Sequence, residues 1–481
     1  MMRHGGRGAD ARCSAGMCAA AAAVLTGALC AAAWAAESAI ALTAPVAVAP
    51  ECLRQDRRIQ RQPAAAWAGE VCLVAWCDGT RQADSPTADI YCARVDGAGK
   101  PLDPTGIRVC GAGDLQEWPA VASDGSSFLV VWQDFRNGRD YDIYAARVGA
   151  DGRVLDPDGF AVCARAGNQA RPAVAFAGGN WIVVWMDARQ YPVYGLYAAR
   201  VSPEGKVLDA DGRAIDAEDP GKIQKAMPTT RSWLGDRHYW WNALSSRFHP
   251  SAASDGQRVM VCYLREVHAN KTTAWAVVVN PADCAPAGPP RQVPGEPRDR
   301  VAVASTADGW ITAFDHWISG WSPTPRLAAC RLDAAGAPRD AVPNRTDDKP
   351  GEPQSPLMLD LQKLIAGAGA GEYQQGKGHF TFWQSAVACG PSPTALVAGE
   401  YGWRTKGKPA DLHFAIVLAR FDCVAGRFID EPPTVAARGD DGVCVRHPAL
   451  ARSADGRTLL VYEKDAGVDR LTIESALVNA R

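Results

Sequence analysis

Acidic side chains and one histidine follow predicted strands at points where an otherwise regular pattern breaks. Asp315 and His316 come after one such strand, Glu400 after the next and Glu463 after the last. Two carboxylates that face each other across a channel could supply the acid and base that cleave a glycosidic bond. The sequence does not give the spacing between them, and a lone histidine is equally well a satisfied polar residue. No catalytic residue is therefore assigned.

A second candidate group combines aromatic and basic side chains in one long insertion. Its members are Trp233, His238, Tyr239, Trp240 and Trp241. Aromatic rings beside basic groups stack on sugars or other planar ligands and donate hydrogen bonds. The alternative is a lid that packs its own aromatics onto the fold beneath, since a long loop must bury something to stay ordered. Together with Asp315 and His316, this group forms the predicted ligand site.

The elements that must carry these residues recur along the chain. Asp89-Ile90-Tyr91, Asp142-Ile143-Tyr144 and Gly195-Leu196-Tyr197 lie 53 residues apart, and an Ala-Arg-Val triplet follows each in the same phase. Each unit contains four short segments rich in aromatic and β-branched residues, separated by turn residues such as Asp-Gly. A repeat of this length and content predicts four-stranded β-propeller blades.

Weaker matches extend the repeat over the rest of the chain. A proline followed 13 residues later by an aromatic residue marks the units at Pro63, Pro119, Pro172 and Pro250, and strand matches at Ala302, Ala386 and Pro448 mark three more. The last unit stops before its fourth strand, which the segment from about Val46 to Arg54 can supply. The prediction is an all-β, seven-bladed β-propeller of four-stranded antiparallel blades, closed by an N-terminal strand.

The regular units resemble the repeats of exported bacterial β-propeller proteins. The resemblance rests on W-x-D-x-R followed by D-I-Y-x-A-R-V, as in Trp132 to Arg136 and Asp142 to Val148, and it is close over residues 63–215. It implies a fold and carries over no catalytic residue. Sialidase boxes are only superficially similar, because Ser453-Ala454-Asp455-Gly456 joins Asp directly to Gly. The repeated Asp and Arg favour a structural role, tying loop to strand by charged hydrogen bonds.

The N-terminal segment predicts export, and two long insertions are predicted to lie on the same face of the domain. Residues 1–36 have the features of a signal peptide, with a basic start, an Ala-rich run and Ala33-Trp34-Ala35. The alternative is an uncleaved membrane anchor, which is less favoured because alanine is weakly hydrophobic and the run is short for a membrane span. Residues 37–481 then form a single propeller domain with top-face insertions at about 217–247 and 345–382, the second carrying a short predicted helix over 357–365. The predicted location is secreted or periplasmic, with no membrane span after signal removal.

The overall composition limits the classes of molecule that the protein is expected to bind. Fifty-one Lys and Arg against 53 Asp and Glu give no reason to expect nucleic acid. Twelve cysteines outside the leader make disulfides plausible, and no motif indicates a metal or a cofactor. The function predicted is a monomeric binding or protein-interaction module for carbohydrate or a surface protein. The alternative is an extracytoplasmic glycan-active hydrolase or lyase using carboxylates at the channel mouth, so enzymatic activity stays open.

Overall fold

The computed structural model describes most of the repeat region. The described residues are 40–52, 58–80, 87–191, 193–219, 221–222, 246–268, 271–295, 297, 300–316, 326–340, 357–360, 385–390, 393–404, 412–439, 443–467 and 470–480. Residues 42–478 form one unit, which contains the fold and the site. Residues 1–41 with 479–481 form a second, of which four residues are described. Across these described ranges, no helix has the length and apolar character needed to span a bilayer.

The described fold consists of β-strands, most of them four to eleven residues long. In chain order they are β1 (Ala41–Leu42), β2 (Val46–Ala47), β3 (Arg58–Ala68), β4 (Val71–Thr80), β5 (Ala88–Asp96), β6 (Ile107–Cys110), β7 (Gln116–Ser123), β8 (Ser127–Asp134), β9 (Asp142–Gly149), β10 (Phe160–Cys163), β11 (Gln169–Ala177), β12 (Asn180–Gln190), β13 (Val193–Val201), β14 (Arg213–Asp216), β15 (Arg247–Ser254), β16 (Val259–His268), β17 (Lys271–Val279), β18 (Arg291–Val293), β19 (Val301–Thr306), β20 (Gly309–His316), β21 (Arg326–Leu332), β22 (Met358–Asp360), β23 (Ser385–Cys389), β24 (Thr394–Arg404), β25 (Leu412–Asp422), β26 (Arg427–Phe428), β27 (Thr434–Gly439), β28 (Val445–Arg452), β29 (Thr458–Gly467) and β30 (Arg470–Asn479).

These strands form antiparallel sheets that follow the sequence repeat. Four sheets have four strands each in chain order, β7 to β10, β11 to β14, β15 to β18 and β19 to β22. A five-stranded sheet contains β23 to β27. A nine-stranded sheet joins β28, β29 and β30 to β3, β4, β5 and β6, with β1 and β2 on β30. The prediction of an all-β fold of four-stranded antiparallel sheets is confirmed.

The first strand of each four-strand set faces a common axis. β3 packs against β7, β7 against β11, β11 against β15 and β15 against β19. The series continues from β19 to β23 and from β23 to β28, and β28 packs against β3. Sheets arranged edge-inward around an axis in this way have the architecture of a β-propeller.

An aromatic residue fills the centre of each regular sheet. Trp132 in β8 is fully buried and stacks on Tyr144 of β9 with ring centroids 6.4 Å apart. Gly159 lies against this ring with φ +72°, and a Cβ there would be 2.3 Å from Trp132 Cη2. Glycine is therefore required both by the left-handed backbone and by the close approach of the ring.

The repeated W-x-D-x-R motif ties the top loop to its strand. Asp134 accepts the Trp132 indole N–H at 2.7 Å and N–H groups of Arg136 at 2.9 and 2.6 Å. Asp187 makes the same contacts to Trp185 and Arg189 in the next sheet. Because these carboxylates are buried and already paired, the predicted structural role of the motif is confirmed.

A second Arg–Asp pair fastens each regular sheet to its neighbour. Arg147 in β9 makes a two-pronged contact to Asp156 at 2.8 and 2.9 Å and donates to the Pro203 carbonyl of the next sheet at 3.1 Å. The sheet that contains β15 has no arginine at this position of its third strand. There Arg258 pairs with Asp255 and donates to the Ala334 carbonyl at 3.1 Å. This sheet therefore also has an arginine that binds a carbonyl of the next sheet, but the arginine lies at a different position.

Two sequence predictions are corrected by the structure. All twelve cysteines outside the leader lie among the described residues, and none of them forms a disulfide, so the expected disulfides are wrong. Burial raises the pKa of Cys77 to about 12, as expected for a small buried side chain. Met358–Asp360 is strand β22, paired with β21, so the helix predicted over 357–365 is wrong at these residues. The rest of that insertion lies outside the described residues.

The packing of Gly159 against Trp132 gives a matched test. Gly159→Ala should lower the free energy of unfolding by roughly 1–2 kcal/mol for the left-handed backbone and by roughly 1–3 kcal/mol more for the clash. Gly125→Ala is the control, since Gly125 has φ +96° and no atom lies within 4 Å of the point that its Cβ would occupy. Urea denaturation of both variants measures the difference, and equal losses would contradict the packing argument.

Candidate functional site

Five inner strands are interrupted at the same place by an X-Pro dipeptide. Their pairing with the second strand shifts register on either side of it, as between Glu117 and Ala120 in β7 or between Ala170 and Ala173 in β11. Proline has no N–H to give the ladder, so a bulge forms there. The residue before each proline has positive φ, and these residues are Gln62 (59°), Trp118 (54°), Arg171 (53°), His249 (47°) and His447 (51°). We call them the mouth ring.

Acceptors on the preceding sheet hold this unusual backbone in place. The N–H of Arg171 donates to Gln133 Oε1 at 3.1 Å. The N–H of His447 donates to Glu400 Oε2 at 3.1 Å, and that of Gln62 to Glu463 Oε1 at 2.6 Å. A left-handed non-glycine residue costs about 1–3 kcal/mol and persists only where its surroundings fix it. These hydrogen bonds supply that support.

The acceptors occupy one equivalent position of the second strand. Gln133, Glu400 and Glu463 each lie two residues after the strand residue that pairs with the first Ala of the inner strand. Asp315 has the same position in β20 and is buried, with 7% of its surface exposed. The carboxylates that break the sequence pattern are therefore one structural position. In three of the sheets, at Gln133, Glu400 and Glu463, that position binds a main-chain N–H of the next sheet.

Two of these carboxylates meet a histidine of the mouth ring. Glu463 Oε1 lies 2.5 Å from His447 Nδ1, and Glu400 binds the main chain of the same histidine. Glu400 is fully buried, and its Oε1 has no hydrogen-bond partner among the described residues. Burial raises the pKa of Glu400 to about 7, against the opposing charge of His447. Burial acts to lower the pKa of His447, but the hydrogen bond and charge of Glu463 outweigh it and raise that pKa.

An aromatic and a guanidinium are stacked beside this cluster. The Arg171 guanidinium carbon lies 3.2 Å from the centroid of the Trp118 ring. The Trp118 ring meets the His447 ring edge-on, with centroids 6.4 Å apart and planes at 72°. The Trp118 N–H donates to Gln62 Oε1 at 2.8 Å. Trp118 thus contacts three other members of the mouth ring, Arg171, His447 and Gln62.

The mouth ring opens on an axial cavity of about 230 Å³. Its wall consists mainly of Ala, Val and Pro side chains from the inner strands. The polar residues that line it are Gln62, Trp118, Arg171, His249, Ser251, Arg300 and Ser385. Within the described ranges, no group of three or more His, Cys, Asp or Glu side chains is placed to hold a metal ion.

The structure describes only some of the residues that were predicted to form the site. Trp233, His238, Tyr239, Trp240 and Trp241 lie outside the described residues, so their grouping stays a prediction. His316 lies in β20, and its side chain is also outside the described part. Asp315 is buried in the equivalent carboxylate position.

Sequence reasoning missed Trp118, Arg171 and His249 as site residues, although a signal for them was present. The prolines that mark the repeat align the residue before each of them, and that aligned position holds unlike side chains.

Comparisons with known proteins do not identify the chain. No family model matches it, and no curated protein matches it. Among solved structures, a protein of unknown function from Dyadobacter fermentans is 11% identical, with TM-score 0.45 over 92% of this chain and 99% of that one. The α-L-arabinofuranosidase Arb93A from Fusarium graminearum is 10% identical, with TM-score 0.42 over 91% and 98%. An N10 neuraminidase-like protein of bat influenza A is 10% identical, with TM-score 0.40 over 92% and 100%. These scores are too low to carry an argument about this chain.

The buried position of Glu400 predicts a pH dependence of stability. Its pKa rises from 4.5 to about 7 on folding, so the folded state holds a proton that the unfolded state releases between these values. Stability should therefore fall as pH rises through this range. The raised pKa of His447 acts in the same direction above its ordinary value of 6.5. Glu400→Gln should reduce the fall by at most about 3 kcal/mol.

Urea denaturation between pH 4.5 and 8 measures this effect. Gln133 shows that an amide fits the equivalent position and accepts the neighbouring N–H, so Glu400→Gln should fold. Exposed Glu51 provides the control, and Glu51→Gln should follow the wild-type profile. A wild-type profile in Glu400→Gln would show that Glu400 does not titrate in this range.

Proposed function

We propose that the chain is an exported β-propeller of seven blades that binds a ligand at the mouth of its axial channel. One observation carries this proposal. The mouth ring repeats the same strained backbone with unlike side chains, Gln, Trp, Arg and His. The Asp of W-x-D-x-R keeps one residue type and makes the same side-chain contacts in both regular sheets, whereas a binding surface needs different groups in different places.

The pairing within the nine-stranded sheet supports seven blades with an N-terminal closure. A single parallel bridge, between Ile59 and Leu471, joins its two halves, and each half has its own inner strand. On this view the sheet is two blades in contact. Val46 and Ala47 pair with Ser475 and Glu474 at the outer side of β30, where a fourth strand belongs.

A cysteine contact supports the same closure. Cys52 Sγ donates to Asp78 Oδ2 at 3.2 Å. At the next junction Cys110 Sγ, at the end of β6, contacts Arg136 Nη2 at 3.3 Å beside Asp134. The N-terminal segment thus brings its cysteine to the place that fourth-strand cysteines take in regular blades.

The surroundings of the carboxylates favour binding over catalysis. Glu463 binds both His447 Nδ1 and the Gln62 N–H, and Glu400 binds the His447 N–H. A glycosidase needs two carboxyl groups that both face the substrate across the scissile bond. Carboxyl groups that anchor the main chain are poorly placed to do so. A stacked aromatic and guanidinium at a polar mouth suits a carbohydrate, which offers hydroxyl groups and apolar ring faces.

One observation favours the second candidate, a glycan-active hydrolase or lyase. A general acid must hold its proton near the working pH, and burial gives Glu400 a pKa of about 7. Its Oε1 has no partner among the described residues and could give that proton to a leaving group. This candidate requires Glu400 to reach the substrate past the inner strand.

Replacement of the mouth tryptophan tests the binding site. Trp118→Ala should weaken binding of whichever glycan the wild type retains on a glycan array by roughly tenfold or more, since stacking and the support of Arg171 are both lost. Tyr191→Ala is the control, because Tyr191 is an exposed aromatic outside the mouth ring, with 69% of its surface accessible. Unchanged affinity in Trp118→Ala would place the site elsewhere.

Hydrolysis is tested by turnover. If the protein is an enzyme, Glu400→Gln should lower the turnover of the active polysaccharide by roughly 100-fold or more while binding persists. Reducing-end and unsaturated-product assays on a polysaccharide panel detect hydrolase and lyase activity respectively. Wild-type protein that binds a glycan but leaves it intact would exclude this candidate for that glycan.

A further inference from the structure

We infer that the ligand of the channel mouth is an anionic sugar, which presents a carboxylate or sulfate to Arg171 and Arg300. This inference rests on the proposed binding function and names the chemical class of its ligand. It comes from the charges of the cavity wall, which differ from those of the protein as a whole.

The ionisable residues in the cavity wall are all basic. Among the described residues that line it, Arg171, Arg300 and His249 can carry charge, and none is Asp or Glu. The chain overall has 51 basic and 53 acidic residues, so this bias is local. Apolar walls of Ala, Val and Pro strengthen the field of such groups, because water screens them less inside a narrow cavity.

Three carboxyl groups beside the mouth ring, those of Glu117, Glu400 and Glu463, are not among the described residues that line the cavity. Glu463 accepts from His447 and Gln62 behind the mouth ring. Glu117, next to Trp118, accepts the Tyr141 hydroxyl at 2.9 Å. Glu400 lies fully buried behind the inner strands, and its raised pKa leaves it partly protonated near neutral pH. An anion in the cavity would therefore face cations in front and engaged carboxyl groups behind.

The Trp118 stack makes Arg171 suited to recognise a planar or tetrahedral anion. A guanidinium 3.2 Å above the ring centroid is held in a defined orientation at the wall of the cavity. A guanidinium has five N–H donors in a fixed fork that matches carboxylate and sulfate oxygens, so one partner elsewhere does not exhaust it. The indole beside it supplies an apolar surface for a sugar ring. The Arg171 guanidinium and the Trp118 ring thus provide a charged group and a stacking surface next to each other.

The size of the cavity limits how much of a glycan can enter. Its 230 Å³ is below the roughly 300–1,000 Å³ of sites that enclose drug-sized ligands. This space suits one sugar unit with its acidic group, and the remainder of the glycan would lie outside the mouth. The structure thus favours recognition of a terminal or branching acidic sugar over a long internal run.

A matched pair of ligands tests the inference on the full-length exported protein. Isothermal titration calorimetry would compare trigalacturonate with its methyl ester, which has the same rings without the charge. A third ligand would be a trisaccharide of neutral sugars that carries a sulfate group. We expect trigalacturonate or the sulfated sugar to bind at least tenfold more tightly than the ester, and to weaken as salt is raised. Whichever of the two charged sugars binds more tightly identifies the recognised group as a carboxylate or a sulfate. If the ester binds as tightly as both charged sugars, the inference is overturned and the binding function stands.

Arginine variants locate the charge contact. Arg171→Gln and Arg300→Gln should each weaken binding of the preferred anionic sugar roughly tenfold or more, while Arg139→Gln should not, since Arg139 is 76% exposed and outside the cavity wall. Thermal unfolding of each variant checks that it is folded. Arg171→Lys, which keeps the charge without the fork, should be intermediate.

A glycan array with acidic and neutral pairs separates the remaining outcomes. Hits confined to neutral glycans would overturn the anionic class alone. An array without any hit would overturn both the class and the proposed binding function. Hits confined to acidic glycans that lose signal in Arg171→Gln support both.

Discussion

Among the described residues, main-chain hydrogen bonds between neighbouring sheets are scattered and form no continuous ladder, so side-chain contacts contribute most to holding the sheets together. Apolar packing supplies most of the contact, as where Leu73 and Cys92 of one sheet meet Phe128 and Val130 of the next. Such packing is non-directional and does not fix one sheet's position against another. The arginine bridges do so on one side of the junction, as Arg147 does towards Pro203. On the other side, buried acceptors bind the main chain of the mouth ring. The whole arrangement depends on these two sets of directional contacts.

The same contacts explain why side chains of different chemical types can lie together at the channel mouth. Four mouth-ring residues are fixed through their main-chain N–H groups, and three of the four acceptors lie outside the ring, the exception being the Gln62 side chain that accepts from Trp118. Five inner strands contribute one such residue each, and four of these residues line the axial cavity. A scaffold of repeated, similar sheets can therefore carry a site made of dissimilar groups. The carboxylates behind the ring are a structural requirement of this design, and only the pKa of Glu400 suggests more.

The sequence predicted the strands well where its own repeat was regular. The 53-residue period and the Asp-Gly turns located the sheets around β7 to β14 because strand alternation and turn chemistry are local properties. The short apolar run near Met358 was misread as a helix, since such a run has no period that separates helix from strand. The role of Glu463 could not be read from sequence, because it binds Gln62 from 401 residues away. Free thiols were missed for a similar reason, since burial and distance between cysteines are properties of the folded chain.

The mouth ring has a consequence for how proteins of this kind diversify. Four of its positions, Gln62, Trp118, Arg171 and His447, are held through a main-chain N–H, which every residue other than proline possesses. A substitution at Trp118 therefore changes what the channel meets without removing the main-chain hydrogen bond that holds its backbone. Ligand preference and foldability are governed by separate parts of the same residue. Copies of such a gene can drift towards new ligands through single codon changes, with little selection against the intermediates.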